Sequence, residues 1–453
     1  MDVVDPSTGT LIETYEEHTE SDVTAALERS TTVFKEWRDQ PIRDREQLLA
    51  AAGDVLRENK REYAETMARE MGKPISQGIA EVEKCAWACD HYAEYASAYL
   101  DSDPHPSPAG STVVTEYEPL GPVLAVMPWN FPFWQVFRFA APYLTAGNVG
   151  LLKHASNVPG CALAIEDVFR EAGYPEGVFQ SLLISSDRVD TILADDRVRA
   201  ATLTGSSPAG RAVASTAGEQ LKKTVLELGG SDPFVVLDDA DISTAAETGA
   251  WARNQNGGQS CIAAKRFIVH TEVYDDFLES FVDEIDSFVV GDPMDESTDI
   301  GPQARPDLME ELHEQVTESV DSGATVLTGG EPIDSEGAYY PPTVLTEVPP
   351  GCPVDSEETF GPVATVYEVT GEEEAVSKAN DTNFGLGASV WTEDRERGEQ
   401  IARRLDAGCV YVNQLVKSDP RVPFGGIKDS GYGRELAEPG IKEFVNHKTV
   451  WIE

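Results

Sequence analysis

The sequence predicts an α/β fold with two large domains, and three observations lead to that prediction. The chain has 453 residues, more than one hydrophobic core usually supports. From Gly121 onward, short apolar strands alternate with helices, a pattern typical of parallel sheets that are covered on both faces. The alternation forms two successive series, one ending near Glu227 and the next beginning near Asp232, so each domain is expected to contain its own sheet.

The first hundred residues predict helices. Ser21 is suited to cap a helix over 23–38, and Pro41 is suited to the first turn of the next helix. A third helical pattern covers about 76–100. The segment DSDPHPSPAG at 101–110 then breaks the helical pattern, because proline and glycine favour turns.

The two series predict the strands of two sheets. Strands of the first series are PVLAVM at 122–127, VGLLK at 149–153, VFQSLLI at 178–184, RAATLTG at 199–205 and KTVLELGG at 223–230. Strands of the second are DPFVVL at 232–237, KRFIVH at 265–270, ATVLTGG at 324–330, ATVYEVT at 364–370, GASVWT at 387–392 and GCVYVN at 408–413. Helices are expected between them, over 134–147, 160–173 and 272–285 and from about Pro208.

Two segments alternate in hydropathy but have no helix beside them. They are 112–118, TVVTEYE, and the tail 442–453, KEFVNHKTVWIE. Alternation of this kind predicts strands with one exposed face. We expect these strands to pair away from the main domains and across subunits.

The acidic composition excludes nucleic acid as a partner. The chain carries 80 acidic and 35 basic residues, a formal net charge of −45, and its basic residues form no cluster. An acidic shell indicates adaptation to concentrated salt, where counterions screen the repulsion between like charges. The charge therefore describes the habitat of the protein and leaves its chemistry open.

Membrane attachment, disulfides and metal are not expected. No apolar run reaches the roughly 20 residues that span a bilayer, and the N-terminal segment MDVVDPSTGT lacks the regions of a signal peptide, so a cytoplasmic protein is expected. The six cysteines are scattered through the chain, which predicts no disulfide framework. Cys85 and Cys89 lie four residues apart on a predicted helix, where core packing explains them better than a metal site with two ligands.

Asn130 lies in the turn MPWNFPFW between a strand and a helix. It could merely cap that helix. Its amide could instead donate into a cleft at the carboxyl end of the strand, where open α/β sheets bind ligands.

Gly205 and Ser206 lie in TGSSPAG, which joins a strand to a helix. The free N–H groups at a helix N-terminus bind anions, so this turn could hold a pyrophosphate. The stretch lacks the G-x-G-x-x-G pattern, and a plain structural joint explains it almost as well.

Glu227 lies between two leucines in LELGG, directly after a predicted strand. Its carboxylate is either exposed or desolvated with a raised pKa, and the second state suits a general base.

Cys261 follows a polar, glycine-rich turn in NQNGGQSCIAAK. Packing, metal binding and nucleophilic catalysis are the alternatives, and the polar turn favours a nucleophile. The seven histidines include none in a motif that identifies a base, which disfavours a cysteine hydrolase. A cysteine, a separate glutamate and an amide donor suit the oxidation of an aldehyde: the thiolate adds to the carbonyl, the amide stabilises the oxyanion, a hydride leaves to a cofactor, and the glutamate activates water.

The chain resembles the aldehyde dehydrogenase superfamily over essentially its whole length. The stretches PWNFP, TGSSPAG, LELGG, NGGQSC, EETFGPV and PFGGIKDSGYGRE occur in the order and at about the spacing of that family. Other stretches, among them NFPFWQVFRFAAP and LVKSDPRVPFGG, resemble the short bacterial branch of succinate-semialdehyde dehydrogenases. The resemblance implies an aldehyde dehydrogenase-like fold with a Rossmann-type cofactor domain, an α/β catalytic domain and a small β oligomerisation element.

The resemblance also implies the roles of individual residues. Cys261 would be the nucleophile, Glu227 the base for deacylation, and Asn130 would complete the oxyanion hole with the backbone N–H of Cys261. The cofactor, NADP or NAD, would contact Trp129, Lys153, Ser156, Gly205, Ser206, Glu358 and Phe360.

The choice of cofactor is expected to depend on Ser156. NAD-preferring relatives often carry a glutamate three residues after the ribose-binding lysine, whose charge would repel a 2′-phosphate. Here Ser156 stands at that position, and His154 beside Lys153 would supply a further cation. We therefore expect NADP to be accepted.

Arg138 and Ser418 match residues that bind the far carboxylate of the substrate in succinate-semialdehyde enzymes. The alternative for Arg138 is a salt bridge within an acidic protein. A second clamp arginine of the longer branch is Gln255 here, and a cysteine that can form a disulfide with the nucleophile is Ala263. A disulfide switch is therefore not expected.

The expected domains follow from these roles. Residues 1–103 and 120–227 would bind the cofactor, 228–436 would carry the nucleophile, and 104–119 with 437–453 would join subunits into a homodimer or homotetramer. The expected reaction is oxidation of a small aldehyde, succinate semialdehyde above others, to its acid. The alternatives are another small or medium aldehyde, acyl transfer to coenzyme A, which Glu227 disfavours, and a non-catalytic protein on the same scaffold.

Overall fold

The computed structural model describes residues 1–453, which form four sheets and fourteen α-helices. The strands are β1 (Asp2–Asp5), β2 (Thr10–Thr14), β3 (Asp103–Pro104), β4 (Thr112–Pro119), β5 (Pro122–Met127), β6 (Val149–His154), β7 (Phe179–Ser181), β8 (Ala200–Thr204), β9 (Lys223–Glu227), β10 (Asp232–Val236), β11 (Ala264–His270), β12 (Thr325–Thr328), β13 (Thr343–Thr346), β14 (Val363–Val369), β15 (Gly387–Trp391), β16 (Cys409–Val412), β17 (Gly431–Tyr432) and β18 (Val445–Ile452). The helices are α1 (Glu20–Trp37), α2 (Ile42–Met71), α3 (Ile75–Tyr99), α4 (Trp134–Thr145), α5 (Pro159–Glu171), α6 (Val189–Ala194), α7 (Ser207–Glu219), α8 (Ile242–Asn254), α9 (Tyr274–Ser287), α10 (Pro306–Asp321), α11 (Pro353–Ser356), α12 (Glu372–Asn380), α13 (Arg395–Ala402) and α14 (Ala437–Ile441).

The first large sheet contains the five predicted strands of the first series. They lie in parallel in the order β9-β8-β5-β6-β7, so the chain reverses direction across the sheet between β5 and β8. Ligands of open α/β sheets bind where the strand order reverses, at the carboxyl ends of the strands. The turns that contain Asn130 and Gly205 follow β5 and β8 at this position.

The second large sheet has the order β12-β13-β14-β11-β10-β15-β16. All neighbours are parallel except the edge strand β12, which runs antiparallel to β13. The predicted α/β fold with two large sheets is confirmed. The order reverses between β10 and β15, and β11 begins three residues after Cys261.

The chain returns from the second sheet to the first near its end. Strand β17 pairs antiparallel with β9, which places Gly431 opposite Glu227 and Tyr432 opposite Leu226. The segment after β17 therefore runs beside the end of β9, and Glu435 forms a bridge with Phe424 there. Part of the range 228–436 thus belongs structurally to the first sheet.

The two segments without neighbouring helices pair with each other in a separate small sheet. Strand β18 runs antiparallel to β4 from Val445 opposite Pro119 to Ile452 opposite Thr112, and the two-residue strand β3 completes this sheet. The pairing lies within one chain. The expected contact of these strands across subunits stays a prediction.

The N-terminal region departs from the prediction at two points. Strands β1 and β2 form a hairpin where only helices were expected. Helix α1 is capped by Thr19, whose Oγ1 accepts the Asp22 N–H at 3.3 Å, so the prediction that Ser21 caps it is wrong by two residues. A Thr with an acidic residue three positions later forms a reciprocal capping box, which accounts for the earlier start.

The helices of the N-terminal region share one core with the first sheet. A single cluster of 50 buried residues joins α2, α3, α4 and α5 to β5 and β6. All twelve residues of α4 are buried. None of the helices combines the length and the apolar character that crossing a bilayer demands.

Candidate active site

One cleft is lined by residues that lie next to strands of both large sheets. The turn after β5 contributes Trp129 and Asn130, the turn after β8 contributes Gly205 and Ser206, and the loop before β11 contributes Cys261. Glu358 and Phe360 line the same cleft, and the Trp129 and Phe360 rings meet edge to face with centroids 5.7 Å apart. The structure thus brings seven of the sequence-predicted site residues together.

The loop before Cys261 has a backbone that side chains rarely allow. Asn256, Gly257 and Gly258 have φ values of 57°, 62° and 71°, all in the left-handed region that favours glycine. A Cβ on Gly258 would also collide with the carbonyl of Gly361. The polar, glycine-rich lead is therefore required by the tight turn that presents Cys261.

Hydrogen bonds join this loop to the turn that contains Asn130. The Asn130 Nδ2 donates to the Gln259 carbonyl at 3.0 Å, and the Asn256 Nδ2 donates to the Asn130 carbonyl at 2.7 Å. The amide of Asn130, 3% exposed, is thereby fixed beside the cysteine loop. An amide held in this way can donate to an oxyanion that forms on a substrate at Cys261.

Lys265 also fixes the loop that contains Cys261. Its buried ammonium donates to the carbonyls of Ser260 at 3.0 Å and Cys261 at 2.8 Å, and it lies 3.8 Å from the Glu358 carboxylate. Burial raises the pKa of the Cys261 thiol to about 12, while the Arg138 and Lys265 charges act to lower it. The thiol is therefore protonated near neutral pH and needs a base before it can attack.

Glu227 ends β9 and is 2% exposed, so its carboxyl group is desolvated. Burial, followed by the charge of Glu435, holds the pKa of Glu227 well above its ordinary value. Neither carboxyl oxygen has a hydrogen-bond partner in the protein. Of the two outcomes left open by the sequence, the desolvated carboxyl is the one observed, and a raised pKa suits a general base.

Arg138 lies beside Glu227 and forms a buried ion pair with Glu435. The two side chains are 2% and 0% exposed. The guanidinium also donates to Thr204 Oγ1 at 3.3 Å and stands 4.8 Å from the centre of the Phe424 ring. The salt bridge that the sequence offered as an alternative is therefore present, and the role of Arg138 as a clamp for a substrate carboxylate stays a prediction.

Ser418 lies outside the cleft that contains Cys261. It is 5% exposed, and its Oγ accepts a hydrogen bond from the Lys84 ammonium at 2.8 Å. Helix α3, the start of α4 and the loop after β16 meet at this point, since Lys84 also lies 4.3 Å from the centre of the Trp134 ring.

Lys153 and Ser156 line a second cavity together with Ser185, Ser186 and Arg305. His154 does not contribute to it: its Nε2 contacts the Pro132 carbonyl at 2.9 Å, and burial lowers the pKa of His154 to about 4. The expectation that His154 supplies a cation is therefore wrong. Alternation along β6 turns the His154 side chain to the opposite face from Lys153.

The N-terminus of α7 is free to bind an anion. Ser206 is its N-cap but makes no side-chain capping bond, and Pro208 follows in the first turn. Uncapped N–H groups at the mouth of the cleft fit a pyrophosphate. The cations Lys153 and Arg305 and the neutral Ser156 fit a phosphorylated ribose, and the carboxylates Asp2 and Glu17 line the same cavity. The residues present therefore fit a dinucleotide.

Several residues of the site were missed by the sequence analysis. Glu435 stood at the end of a quoted motif, PFGGIKDSGYGRE, but nothing in the sequence paired it with Arg138. Lys265 lies only four residues after Cys261, so its closeness in the sequence could have suggested a contact with the Cys261 loop. Glu311 and Gln315 line the cleft from α10, a helix that carries no motif.

The chain belongs to the aldehyde dehydrogenase family, which matches residues 1–450. A protein of Synechocystis sp. described as a probable succinate-semialdehyde dehydrogenase [NADP(+)] is 52% identical over 449 residues, 99% of either chain. Succinate-semialdehyde dehydrogenase [NADP(+)] 1 of Mycobacterium tuberculosis is 48% identical over 451 residues, again 99% of either chain. The crystal structure of succinic semialdehyde dehydrogenase from Streptococcus pyogenes, in complex with NADP+, has a TM-score of 0.97 and 38% identity, and the match covers 100% of this chain and 99% of that one.

Proposed function

We propose that this protein oxidises succinate semialdehyde to succinate with NADP as the cofactor. The observation that carries the proposal is the cleft in which Cys261 and the fixed amide of Asn130 meet an uncapped helix N-terminus. The names of the relatives support the choice of substrate and cofactor.

In the proposed reaction Cys261 attacks the aldehyde carbon. Glu227, whose raised pKa makes it a stronger base than an exposed glutamate, receives the thiol proton. The Asn130 Nδ2 and the backbone N–H of Cys261 donate to the oxyanion of the thiohemiacetal. NADP, when bound, supplies the ring that accepts a hydride from the substrate carbon, which leaves a thioester on Cys261.

The second half of the reaction releases the acid. Glu227 first releases the thiol proton to solvent, and its carboxylate then removes a proton from a water molecule, so that the resulting hydroxide attacks the thioester carbon. The Cys261 sulfur leaves as a thiolate and takes the proton from Glu227, which restores the thiol and the carboxylate for the next cycle. The desolvated carboxyl of Glu227, which directly precedes the cleft residue Leu228, supports hydrolysis over transfer to coenzyme A, since an incoming thiol has less use for a base that activates water.

The cofactor residues are proposed from their position and chemistry. Gly205 and Ser206 would receive the pyrophosphate at the start of α7, with Trp129 beside it. Glu358 and Phe360 would hold the nicotinamide ribose and ring. Lys153 is 7% exposed at the second cavity and makes no hydrogen bond there, so with Ser156 it would bind the 2′-phosphate.

The carboxylate of the substrate is proposed to bind near Arg138 and Ser418. Both side chains are nearly buried, at 2% and 5% exposure, so a carboxylate bound there would be shielded from water. A charge-assisted hydrogen bond is stronger in such surroundings.

We further propose a cytoplasmic homodimer or homotetramer adapted to concentrated salt. Strand β18 leaves Trp451 and Ile452 54% and 59% exposed, an apolar edge that a second subunit would cover. All six cysteines are free, as in reducing compartments. The net charge of −45 supports the salt adaptation.

The test is the initial rate of reduced-cofactor formation in concentrated salt. Succinate semialdehyde and butanal, which lacks the carboxylate, are each compared with NADP and with NAD. We expect the semialdehyde and NADP to be preferred and Cys261→Ala to be inactive. Succinate as the product, with or without coenzyme A present, supports hydrolysis, while a succinyl thioester of coenzyme A or equal use of butanal contradicts the proposal.

A further inference from the structure

Helix α4 follows the Asn130 turn and has no side-chain cap of its own. The N–H groups of Phe133 and Trp134, which begin the helix, both donate to one carboxyl oxygen of Glu81, at 2.9 Å each. Glu81 is a buried residue of α3. A carboxylate stabilises a helix N-terminus because it accepts the free N–H groups and opposes the helix dipole. Helix α3 therefore fixes the start of α4, three residues after Asn130.

Lys73 holds the Glu81 carboxylate in this position. The two side chains form a buried ion pair through the other carboxyl oxygen. The Lys73 ammonium also stands 3.9 Å from the centre of the Phe131 ring, and Phe131 directly follows Asn130. The ion pair thus contacts the chain on both sides of Pro132.

The same helix also holds the turn before Cys261. The Gln77 Oε1 accepts the Asn256 N–H at 2.7 Å, and the Gln77 Nε2 donates to the Asp299 carbonyl at 2.7 Å. Asn256 is the residue whose side chain donates to the Asn130 carbonyl. Gln77 therefore fixes the peptide group from which the Cys261 turn reaches the Asn130 turn.

Other side chains that hold the Cys261 turn lie in the same part of the chain as the turn itself. Arg253 donates to the Gly258 carbonyl at 2.6 Å, and Gln303 donates to the Gly257 carbonyl at 3.1 Å. These bonds maintain the shape of the turn. Gln77 differs because α3 shares its core with the first large sheet, so its bond sets the place of the turn relative to that sheet.

Gln77 and Glu81 are four residues apart, so they lie on one face of α3 about one helical turn from each other. One contacts the turn that presents Cys261, and the other contacts the helix that follows Asn130. A nucleophile and an oxyanion donor must reach the same carbonyl group, and a misplacement of about 1 Å can lower a rate about 100-fold. A helix of fixed pitch is suited to keep the two turns at one separation.

We propose that α3 aligns the Cys261 turn with the Asn130 turn through Gln77 and Glu81, which makes both of them positioning residues for formation of the thiohemiacetal. The inference rests on the proposed roles of Cys261 and Asn130. It does not depend on which aldehyde is the substrate.

The first test is Gln77→Met, which removes the acceptor of the Asn256 N–H and leaves the buried ion pair intact. The measurement is the single-turnover rate of reduced-cofactor formation at saturating cofactor, with saturating succinate semialdehyde and with saturating butanal. We expect a rate about tenfold lower, a smaller loss than the roughly 100-fold or more expected for removal of the donor itself in Asn130→Ala. Alkylation of Cys261 by iodoacetamide should be unchanged, because that displacement forms no oxyanion.

Gln180→Met is the matched control. Gln180 is also an amide that bridges two elements, since it accepts from the Arg29 guanidinium at 2.9 Å and donates to the Ala26 carbonyl at 3.1 Å. It lies on β7, at the edge of the first large sheet. The single-turnover rate of Gln180→Met should match that of wild type.

A double-mutant cycle tests whether Gln77 acts through Asn130. In a protein that lacks the Asn130 amide there is no donor left to align, so Gln77→Met should lower the rate of Asn130→Ala by no more than about twofold. Losses that multiply in Gln77→Met/Asn130→Ala would refute the alignment. Slower alkylation of Cys261 in Gln77→Met, by the same factor as the single-turnover rate, would also refute it.

Glu81 is tested in two variants that both lack the ion pair. Lys73→Met/Glu81→Gln and Lys73→Met/Glu81→Leu leave no buried charge without a partner, but only the first keeps an oxygen that accepts the N–H groups of α4. We expect the glutamine variant to keep most of the single-turnover rate and the leucine variant to lose about tenfold, with equal alkylation of Cys261. Equal single-turnover rates would refute the part assigned to Glu81.

The outcomes separate this inference from the proposed function. If Asn130→Ala reacts at the wild-type rate, the proposed role of Asn130 is wrong and the inference fails with it. If Asn130→Ala is slow while Gln77→Met reacts as fast as Gln180→Met, the role of Asn130 stands and the alignment by α3 is refuted. A wild-type preference for butanal would overturn the proposed substrate alone.

Discussion

Glu435→Gln is expected to lower the pH at which Glu227 becomes active as a base. In wild type, burial and the Glu435 charge both raise the pKa of Glu227, while Arg138 lowers it. The substitution removes the like charge and also leaves Arg138 without its counter-ion. Both changes favour ionised Glu227, so they act in the same direction.

The magnitude follows from the usual effect of a neighbouring charge. An opposite charge within about 4–6 Å lowers a carboxyl pKa by roughly one to three pH units, and removal of a like charge adds to this. We therefore expect the acidic limb of deacylation to move down by at least about one pH unit, which is about tenfold in rate below the wild-type limb. Removal of one partner of a buried ion pair usually lowers the free energy of unfolding by about 3–5 kcal/mol. We expect a smaller loss here, because Glu227 then replaces Glu435 as the partner of Arg138.

The assay is the pH dependence of kcat with butanal under conditions where a burst of reduced cofactor shows that deacylation limits turnover. Glu438→Gln is the control, since Glu438 lies three residues away on the exposed side of α14 and pairs only with Lys442. If the acidic limb of the pH profile of kcat stays in place or moves to higher pH in Glu435→Gln, the reasoning is refuted. A shift of the same size in Glu438→Gln would show that net charge alone is responsible.

Three further substitutions test separate parts of the site. Ser156→Glu should lower kcat/KM with NADP about tenfold or more relative to NAD, through repulsion of the 2′-phosphate, and an unchanged cofactor ratio would remove Ser156 from the cofactor site. Gly258→Ala should lower the free energy of unfolding by about 2 kcal/mol or more, whereas Gly218→Ala, where an added Cβ meets nothing within 4 Å, should be neutral in thermal unfolding. Lys265→Met should raise the pKa of Cys261 further and slow its alkylation by iodoacetamide at pH 8, because the Lys265 charge lowers that pKa in wild type; equal or faster alkylation would contradict this.

The sheets could be predicted from the sequence because buried parallel strands read as continuous apolar runs. PVLAVM and DPFVVL are such runs, and each is a central strand. The hairpin of β1 and β2 was missed because TLIET is exposed at every residue, so its formation depends on a local pairing rather than on burial. The tight turn before Cys261 could be predicted because a left-handed backbone favours glycine, and the glycines of that turn are visible in the sequence.

The charges of the site were harder to predict. Arg138 and Glu435 are separated by almost 300 residues, and β17 brings them together by pairing with β9. Lys84 lies in a polar stretch of α3 next to Glu83, where a lysine would ordinarily belong to a solvated face. Only the packing of α3 against α4 and the loop at Ser418 shows that its ammonium is enclosed.

The overall charge makes the local cations more important for an anionic substrate. A net charge of −45 repels a carboxylate at long range, so the surface field cannot concentrate such a substrate near the protein. Concentrated salt reduces that repulsion, because the Debye length falls to about 3 Å at 1 M ionic strength, but it equally removes any long-range attraction. Buried charges are screened much less than exposed ones. Preference for a substrate with a carboxylate must then arise after the substrate has entered, from cations that are enclosed within the protein.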